Sequence, residues 1–296
     1  PSGEHFAIIA NADVFLQDTA GNFRQLTSTP GEENDPVFSP NGTLLAYAAQ
    51  RDHKWGIYAV DLTPADDQSG LAPQYEEIAL YVPEDGNAYQ PSFSPDGTKI
   101  AFVADRREVK VLDLESREIT TLFDESDYNS VYNDGDISFA WSPNSLDLLV
   151  NWRAMGGSEN RRVAIVPADG SARPRPIGNT TTMFGPFWTP DGTQIIGQTL
   201  LYGARNAQLR PTGATDLYRV FISEEARRDF LDTMEGLDTG FDSDDEGNPV
   251  VRRYQPDALR SRALEGRLTP DGLNAISVFP VDAQTLVTVA QTGQWT

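Results

Sequence analysis

Short apolar runs follow a recurring polar phrase along the chain. The phrase joins an aromatic residue, a serine or threonine, a proline and an Asn or Asp turn, as in FSPNG, FSPDG, WSPNS and WTPDG, with prolines at 40, 95, 143 and 190. Proline presets φ at the first turn position, and Asn-Gly or Asp-Gly favours the left-handed backbone that completes the turn. The apolar run after each phrase, such as LLAYAA from Leu44, therefore predicts a short, largely buried strand.

Three further strand-like segments accompany each turn. One precedes the phrase and is predicted to begin at its own proline, as at Pro36, Pro91 and Pro186. Two more follow, as in GIYAVDL from Gly56 and EEIALYV from Glu76. Each repeat therefore predicts a four-stranded antiparallel meander. We expect its prolines in turns or at strand starts, where the ladder loses no donor.

The spacing of the repeat is typical of a β-propeller blade. Successive turn prolines lie about 50 residues apart, and weaker copies of the slot occur at Pro1 and near residue 280. Six slots, at about 1, 40, 95, 143, 190 and 280, predict an all-β fold: a single six-bladed β-propeller domain over residues 1–296. Because the first and last blades are incomplete, we expect a fragment of a longer chain.

The regular spacing breaks between residues 198 and 268, within the fifth predicted blade. The segment SEEARRDFLDTME predicts a short helix that Ser223 caps and that carries Ala226, Phe230 and Met234 on one face. The helix and the loop after it are therefore predicted to be insertions in this blade.

The long loop after the helix is acidic over residues 238–248. Its Asp242, Asp244 and Glu246 resemble a calcium loop only loosely, since Asn-Pro-Val-Val stands where an EF-hand needs its bidentate Glu. We interpret the segment as an acidic surface loop rather than a metal site.

Composition narrows the possible partners. The net charge is −21, so a phosphate backbone would be repelled, and nucleic acid is excluded as a partner. The chain has no cysteine, which excludes disulfides and thiolate metal sites. No apolar run approaches the roughly 20 residues of a membrane-spanning helix.

The sequence contains no recognisable catalytic constellation. It lacks a G-x-S-x-G elbow and a glycine-rich phosphate loop. Its two histidines, His5 at a strand start and His53 in a polar hairpin, are typical of surface or capping positions. We predict no catalytic residue, no metal site and no cofactor within this chain.

Two features are candidates for binding. The segment YNDGDISFAWSP leads into the innermost strand of its blade, which would place Tyr132, Asp134 and Asp136 near the mouth of the central channel. The alternative is an ordinary turn at its Asp-Gly pair. The second feature is an arginine beside each of two hairpins, Arg51 and Arg106. These arginines either pair with aspartates of a neighbouring blade or contact a ligand.

An ordered series of segments carries a resemblance to a known family. PSGEHFAIIANADVF, PSFSPDGTKIAFVADR, YNDGDISFAWSP and DLYRVFISEEARRDF occur in this order between Pro1 and about Phe230. The series resembles the N-terminal propeller of bacterial tricorn-like serine peptidases, in the C-terminal-processing family. The SPDG phrase alone is less specific, because TolB and prolyl-oligopeptidase-type propellers share it.

The resemblance implies a function without chemistry in this chain. In such peptidases the propeller gates or guides peptides, and PDZ-type and catalytic domains follow it. Nothing in this chain matches those later domains, so no catalytic residue is carried over. We therefore expect a non-catalytic propeller of a secreted or periplasmic serine peptidase that holds peptide or unfolded-protein substrates.

Two alternatives remain open. One is a stand-alone TolB-like scaffold that binds a protein partner, and the other is a propeller enzyme that acts on a carbohydrate or ester. PDZ and peptidase sequence downstream of this chain would favour the serine-peptidase hypothesis over the scaffold hypothesis. The enzyme would need titratable groups that converge near the channel.

Overall fold

A computed structural model describes residues 3–63, 75–124, 137–153, 161–177, 183–199, 216–235 and 276–277. Strands make up almost all of the regular structure in these ranges. They are β1 (His5–Ala10), β2 (Asp13–Asp18), β3 (Phe23–Gln25), β4 (Glu33–Phe38), β5 (Leu44–Arg51), β6 (Lys54–Asp61), β7 (Glu77–Tyr81), β8 (Ala88–Phe93), β9 (Lys99–Ala104), β10 (Glu108–Asp113), β11 (Ile119–Phe123), β12 (Ser138–Trp141), β13 (Asp147–Arg153), β14 (Arg161–Pro167), β15 (Arg175–Pro176), β16 (Met183–Trp188), β17 (Gln194–Thr199), β18 (Asp216–Phe221) and β19 (Ile276–Ser277). The one helix in these ranges is α1 (Glu224–Glu235).

The strands form a series of antiparallel meanders. The first sheet is β1-β2-β3, and it is followed by β4-β5-β6-β7, β8-β9-β10-β11, β12-β13-β14-β15 and β16-β17-β18-β19. Each strand pairs with its neighbour in sequence, which confirms the predicted all-β class and the four-stranded repeat. A closed ring of six blades stays a prediction.

The chain divides into two compact units. The first is Pro1–Leu148 with Val166–Pro174, and the second is Leu149–Ile165 with Arg175–Thr296. The single propeller domain over residues 1–296 stays a prediction. The first unit contains the first three sheets and the site described below.

The second sheet of the first unit is buried on both faces. Leu45 and Tyr47 of β5 pack into one core cluster with Val14 of β2, whereas Ala46 and its even-numbered neighbours pack into a second cluster with residues of β8 and β9. A strand covered on both faces has a continuous apolar sequence instead of an alternating one. The run LLAYAA has this character because a sheet lies against each of its faces.

The repeated polar phrase forms the same turn in the second, third and fourth sheets. The hydroxyl of Ser39 donates to Oδ1 of Asn41 at 2.7 Å, and the backbone N–H of Thr43 donates to that oxygen at 3.1 Å. The hydroxyls of Ser94 and Ser142 make the equivalent bonds to Asp96 and Asn144, at 2.6 and 2.7 Å. The turn prediction is therefore confirmed in atomic detail.

The innermost strands begin earlier than the sequence predicts. Strands β4, β8 and β16 start three residues before Pro36, Pro91 and Pro186. In each strand, two paired residues that are three positions apart lie opposite two residues that are only two positions apart on the partner strand. This extra residue defines a β-bulge. The proline lies within the bulge and is unpaired, so the ladder loses no donor although the proline is inside the strand.

The inserted helix is confirmed. The backbone N–H of Ala226 donates to the Ser223 hydroxyl at 3.0 Å, as expected for an N-cap, and the ring of Phe230 lies 5.3 Å from that of Phe221 in β18. The side chain of Met234, the acidic loop 238–248 and the turn near residue 280 lie outside the described residues. Within the described ranges, no helix has the length and apolarity that crossing a membrane requires.

Candidate functional site

A pocket of about 450 Å³ opens in the first unit. The aromatic side chains of Trp55 and Tyr89 line it, with ring centroids 5.7 Å apart, and both are half-buried. Val103 and Ile137 form its buried part. We call this cavity, with the rim residues described next, the anchor pocket.

The rim of the anchor pocket is polar. Asn34, Asp35 and Arg106 are exposed there, and Gln90 completes the lining. An apolar, partly aromatic interior with a few polar groups at its edge is the usual composition of a binding site.

The β-bulges of two neighbouring sheets bring these groups together. Asp35 and Gln90 hold the left-handed position of their bulges, with φ of 53° and 55°. Oδ2 of Asp35 accepts the backbone N–H of Gln90 at 3.2 Å. The two bulges are thus joined directly, and their side chains are displayed at one edge of the pocket. Bulges commonly re-aim side chains in this way next to functional sites.

Two hairpins supply the remaining polar and aromatic residues. Asp52 and His53 connect β5 to β6, while Asp105 and Arg106 lead from β9 towards β10, and all four have φ between 49° and 66°. Two successive left-handed residues are the mark of a type I′ turn. Arg106 therefore occupies the turn position that His53 holds in the preceding sheet.

Arg51 lies in a different environment, which we call the Arg51 cluster: Arg51, Glu33, Glu77 and Tyr47. Nη2 of Arg51 is 2.8 Å from Oε1 of Glu33 and 2.6 Å from Oε2 of Glu77. Nε of Arg51 donates to the other oxygen of Glu77 at 3.1 Å, and the Tyr47 hydroxyl donates to Oε2 of Glu77 at 2.8 Å. All of these groups belong to the second sheet.

The electrostatics of the Arg51 cluster are those of a buried ion network. Burial works to lower the pKa of Arg51, but hydrogen bonds and charge from Glu77 and Glu33 outweigh it and raise that pKa. Burial, followed by the hydrogen bond to Glu77, raises the pKa of the Tyr47 hydroxyl far above its ordinary value. Arg51 therefore stays protonated, and the Tyr47 hydroxyl stays neutral, at any ordinary pH.

The same cluster connects two sheets. The Glu33 side chain is 0% exposed, and its oxygens accept the hydroxyls of Thr27 at 2.9 Å and Thr29 at 2.6 Å. Thr27 in turn accepts the backbone N–H of Val14 in the first sheet at 2.8 Å. With these partners, the Arg51 cluster has the features of a structural tie between sheets.

The predicted binding residues thus lie in different places. Arg106 lies on the rim of the anchor pocket, whereas Arg51 is held by glutamates of its own sheet and does not line that pocket. Tyr132, Asp134 and Asp136 lie outside the described residues. A ligand-binding role for any of the five stays a prediction.

Sequence reasoning predicted only Arg106 and missed the other seven lining residues, among them Asp35, Trp55, Tyr89 and Gln90. A signal for two of them is present, because Asp35 and Gln90 each precede the proline of an innermost strand. Nothing in the sequence pairs Trp55 with Tyr89, since these residues come from strands of different sheets.

The described residues provide no metal centre. Among them, no group of three or more His, Asp or Glu side chains is arranged to hold an ion. The groups whose pKa is raised include Tyr47, Tyr58, Arg51 and Lys110, and these lie outside the anchor pocket.

Comparisons with known proteins give structural neighbours but no family. No family model matches the chain, and no curated protein matches it. TolB from Acinetobacter baumannii is similar at 18% identity with a TM-score of 0.47, over 75% of this chain and 52% of that one. The chain thus spans about half of the length of that protein.

Two further neighbours have comparable scores. One is the TolB assigned in Agrobacterium tumefaciens, at 16% identity and a TM-score of 0.46, over 76% of this chain and 75% of that one. The other is the β-propeller domain of Myceliophteria thermophila Cps50 (Swd1), at 14% identity and a TM-score of 0.43. The match covers 75% of this chain and 63% of that one. The function of this chain has to be argued from its own residues.

Proposed function

We propose that this chain is a non-catalytic scaffold that binds a protein partner, with the anchor pocket as the point of attachment. The partner presents an extended peptide segment, and one of its side chains enters the pocket that Trp55 and Tyr89 line. The observation that carries the proposal is the composition of the pocket: two aromatic residues, a buried apolar base and an exposed polar rim.

This composition supports binding to a protein more than chemistry on a small molecule. Binding hot spots are enriched in Trp, Tyr and Arg, and they concentrate in desolvated pockets that a polar rim surrounds. Trp55, Tyr89 and Arg106 supply these residue types in one cavity. Extended segments also suit a β-sheet edge or bulge, where the backbone supplies hydrogen bonds and a pocket supplies specificity.

A peptide-display selection tests the proposal. The complete chain is immobilised and a library of random dodecapeptides is selected against it. Binders are then retested on a Tyr89→Ala variant and on a Tyr75→Ala control, since Tyr75 is also half-buried but packs beside the first-sheet core. Melting temperatures of both variants establish that they are folded.

We expect enriched peptides to bind the parent chain and the Tyr75→Ala control, and to lose about tenfold in affinity on Tyr89→Ala. A selection that yields no binder, or binders indifferent to Tyr89, would overturn the proposal.

A narrower form of the proposal concerns the parent protein. The resemblance to tricorn-like propellers supports a six-bladed accessory domain of a periplasmic or extracellular serine peptidase, where the bound segment is a peptide or unfolded-protein substrate. An intact mass and peptide map of the native protein test this form. Peptides from a serine-peptidase domain support it, and a native mass equal to this chain alone contradicts it.

A further inference from the structure

We infer that the side chain received by the anchor pocket is an arginine, carried by a basic, extended segment of the partner. This inference rests on the function proposed above. It goes further by naming the chemistry that the pocket recognises: a planar cation held between aromatic rings and a carboxylate.

The aromatic pair provides the first half of the argument. The rings of Trp55 and Tyr89 are inclined by 42° at a centroid distance of 5.7 Å, so they pack against each other, and both line the pocket wall. A guanidinium stacks on indole and phenol faces, and its aliphatic stem packs on apolar surface such as that of Val103. Lysine, whose charge is compact and strongly hydrated, stacks on aromatic faces less well.

The carboxylate of Asp35 provides the second half. The bulge holds this side chain at the rim through its bond to the Gln90 N–H. A carboxylate has about four acceptor sites, so it can receive a guanidinium while it keeps that bond.

The molecule already uses the same combination internally. Arg51 lies 5.2 Å from the centroid of the Tyr58 ring while it pairs with Glu33 and Glu77. Lys110 lies 5.8 Å from the Tyr81 ring and 2.8 Å from a carboxylate oxygen of Glu108. In both cases one cation is shared by a ring and a carboxylate. The anchor pocket presents rings and a carboxylate at its open edge beside Arg106, and a cation from outside can reach them there.

The overall charge points to the same partner. A chain with a net charge of −21 attracts basic segments and repels acidic ones over distances of the order of a Debye length. Arg106 on the rim is positively charged, unlike the chain as a whole. A variant that lacks this charge therefore tests whether the ligand is a cation or an anion. Removal of its charge should strengthen the binding of a cation and weaken the binding of an anion.

The test uses the complete chain and a defined probe, acetyl-Gly-Ser-Arg-Ser-Gly-amide, at millimolar concentrations. The chain has five tryptophans, and a Trp55→Phe variant identifies the Trp55 indole N–H signal in a ¹⁵N correlation spectrum. Titration of that signal gives the affinity at the pocket. The citrulline analogue of the probe has the same shape without the charge, and the lysine analogue has the charge without the planar group.

We expect the arginine probe to shift the Trp55 signal and both analogues to bind about fivefold more weakly. Asp35→Asn should weaken the arginine probe about threefold, and Arg106→Gln should strengthen it about twofold. The matched control is Asp52→Asn, which removes the same charge from an exposed aspartate with similar φ, 49° against 53°. Asn tolerates this conformation, so both substitutions should leave the backbone unchanged.

Other outcomes separate this inference from the proposed function. Display-selected peptides that shift the Trp55 signal without containing arginine would overturn the inference and leave the scaffold function standing. Equal binding of the arginine and citrulline probes, or weaker binding on Arg106→Gln, would also overturn it. If neither the selected peptides nor the probe shifts the Trp55 signal, both proposals fail.

Discussion

The Arg51 cluster and the anchor pocket combine the same kinds of side chain, arginine, carboxylate and aromatic ring, in neighbouring parts of one unit. In the cluster, Arg51 is 18% exposed and Glu33 is fully buried, and each bonds several partners. In the pocket, Asp35 and Arg106 are exposed beside a cavity. Burial decides the role: enclosed charges must be paired within the fold, whereas charges at the edge of a cavity can meet a ligand.

The largest effect is expected when the arginine of the Arg51 cluster is removed. Arg51→Ala leaves the Glu33 carboxylate buried without its cation, which typically costs about 3 kcal/mol of unfolding free energy. We expect a clearly lower midpoint of urea denaturation. An unchanged midpoint would mean that the cluster is not a structural tie.

A second test removes one hydroxyl from the cluster. Tyr47→Phe deletes the hydrogen bond to Glu77 and should lower the unfolding free energy by about 1.5 kcal/mol. In an Arg51→Ala background the same substitution should cost less, because the two side chains share Glu77. A double-mutant cycle in urea measures this coupling, and strict additivity would contradict a shared network.

A third test uses acid, which should affect turn aspartates with depressed pKa values. Burial works to raise the pKa of Asp96, but hydrogen bonds from Ser94 and Thr98 outweigh it, so that pKa lies below the ordinary 3.8. The resulting stabilisation is present above pH of about 3.8 and is lost as pH falls through the lower folded-state pKa.

Asn41 occupies the equivalent turn position in the preceding sheet with the same bonds, so Asp96→Asn should fold normally. We expect its melting temperature to fall less steeply than that of the parent below about pH 4, and the two curves to have the same slope near neutrality. Parallel curves for the two proteins would show that the turn carries no pH-dependent stability.

The smallest expected effect is that of Arg106→Ala on stability. Its side chain is exposed on the pocket rim, and surface substitutions of this kind usually stay within about 0.5 kcal/mol. The urea midpoint should match that of the parent. A loss of unfolding free energy comparable to that of Arg51→Ala would mean that Arg106 stabilises the fold as much as Arg51 does.

The sequence predicts local features of this molecule well and non-local ones poorly. The turns at Asn41 and Asp96 and the helix capped by Ser223 depend on residues within a few positions of one another, and all are confirmed. The early starts of β4 and β8 do not follow from the sequence, because a proline favours the start of a strand, whereas a bulge here places it inside the strand.

The candidate site shows the same limit. Arg51 and Arg106 look alike in sequence, since each adjoins a hairpin. A shift in position separates them, because Arg51 is the last residue of its strand and Arg106 is the second left-handed residue of a turn. The pairing of Trp55 with Tyr89 depends on the packing of two sheets, which sequence spacing does not reveal.

The bulges also determine which genetic changes these strands can accept. Ala88 and Phe93 lie five positions apart in β8, yet both join the same core cluster, because one extra residue between them restores their common face. Deletion of Gln90 alone would leave Ala88 and Tyr89 on their present faces, but it would remove the bulge that holds Pro91 out of the ladder and the bond from the Gln90 N–H to Asp35. Homologous chains should therefore conserve the length of this strand and favour, before this proline, residues that tolerate a left-handed backbone, and library designs around the pocket should substitute such residues here but never insert or delete.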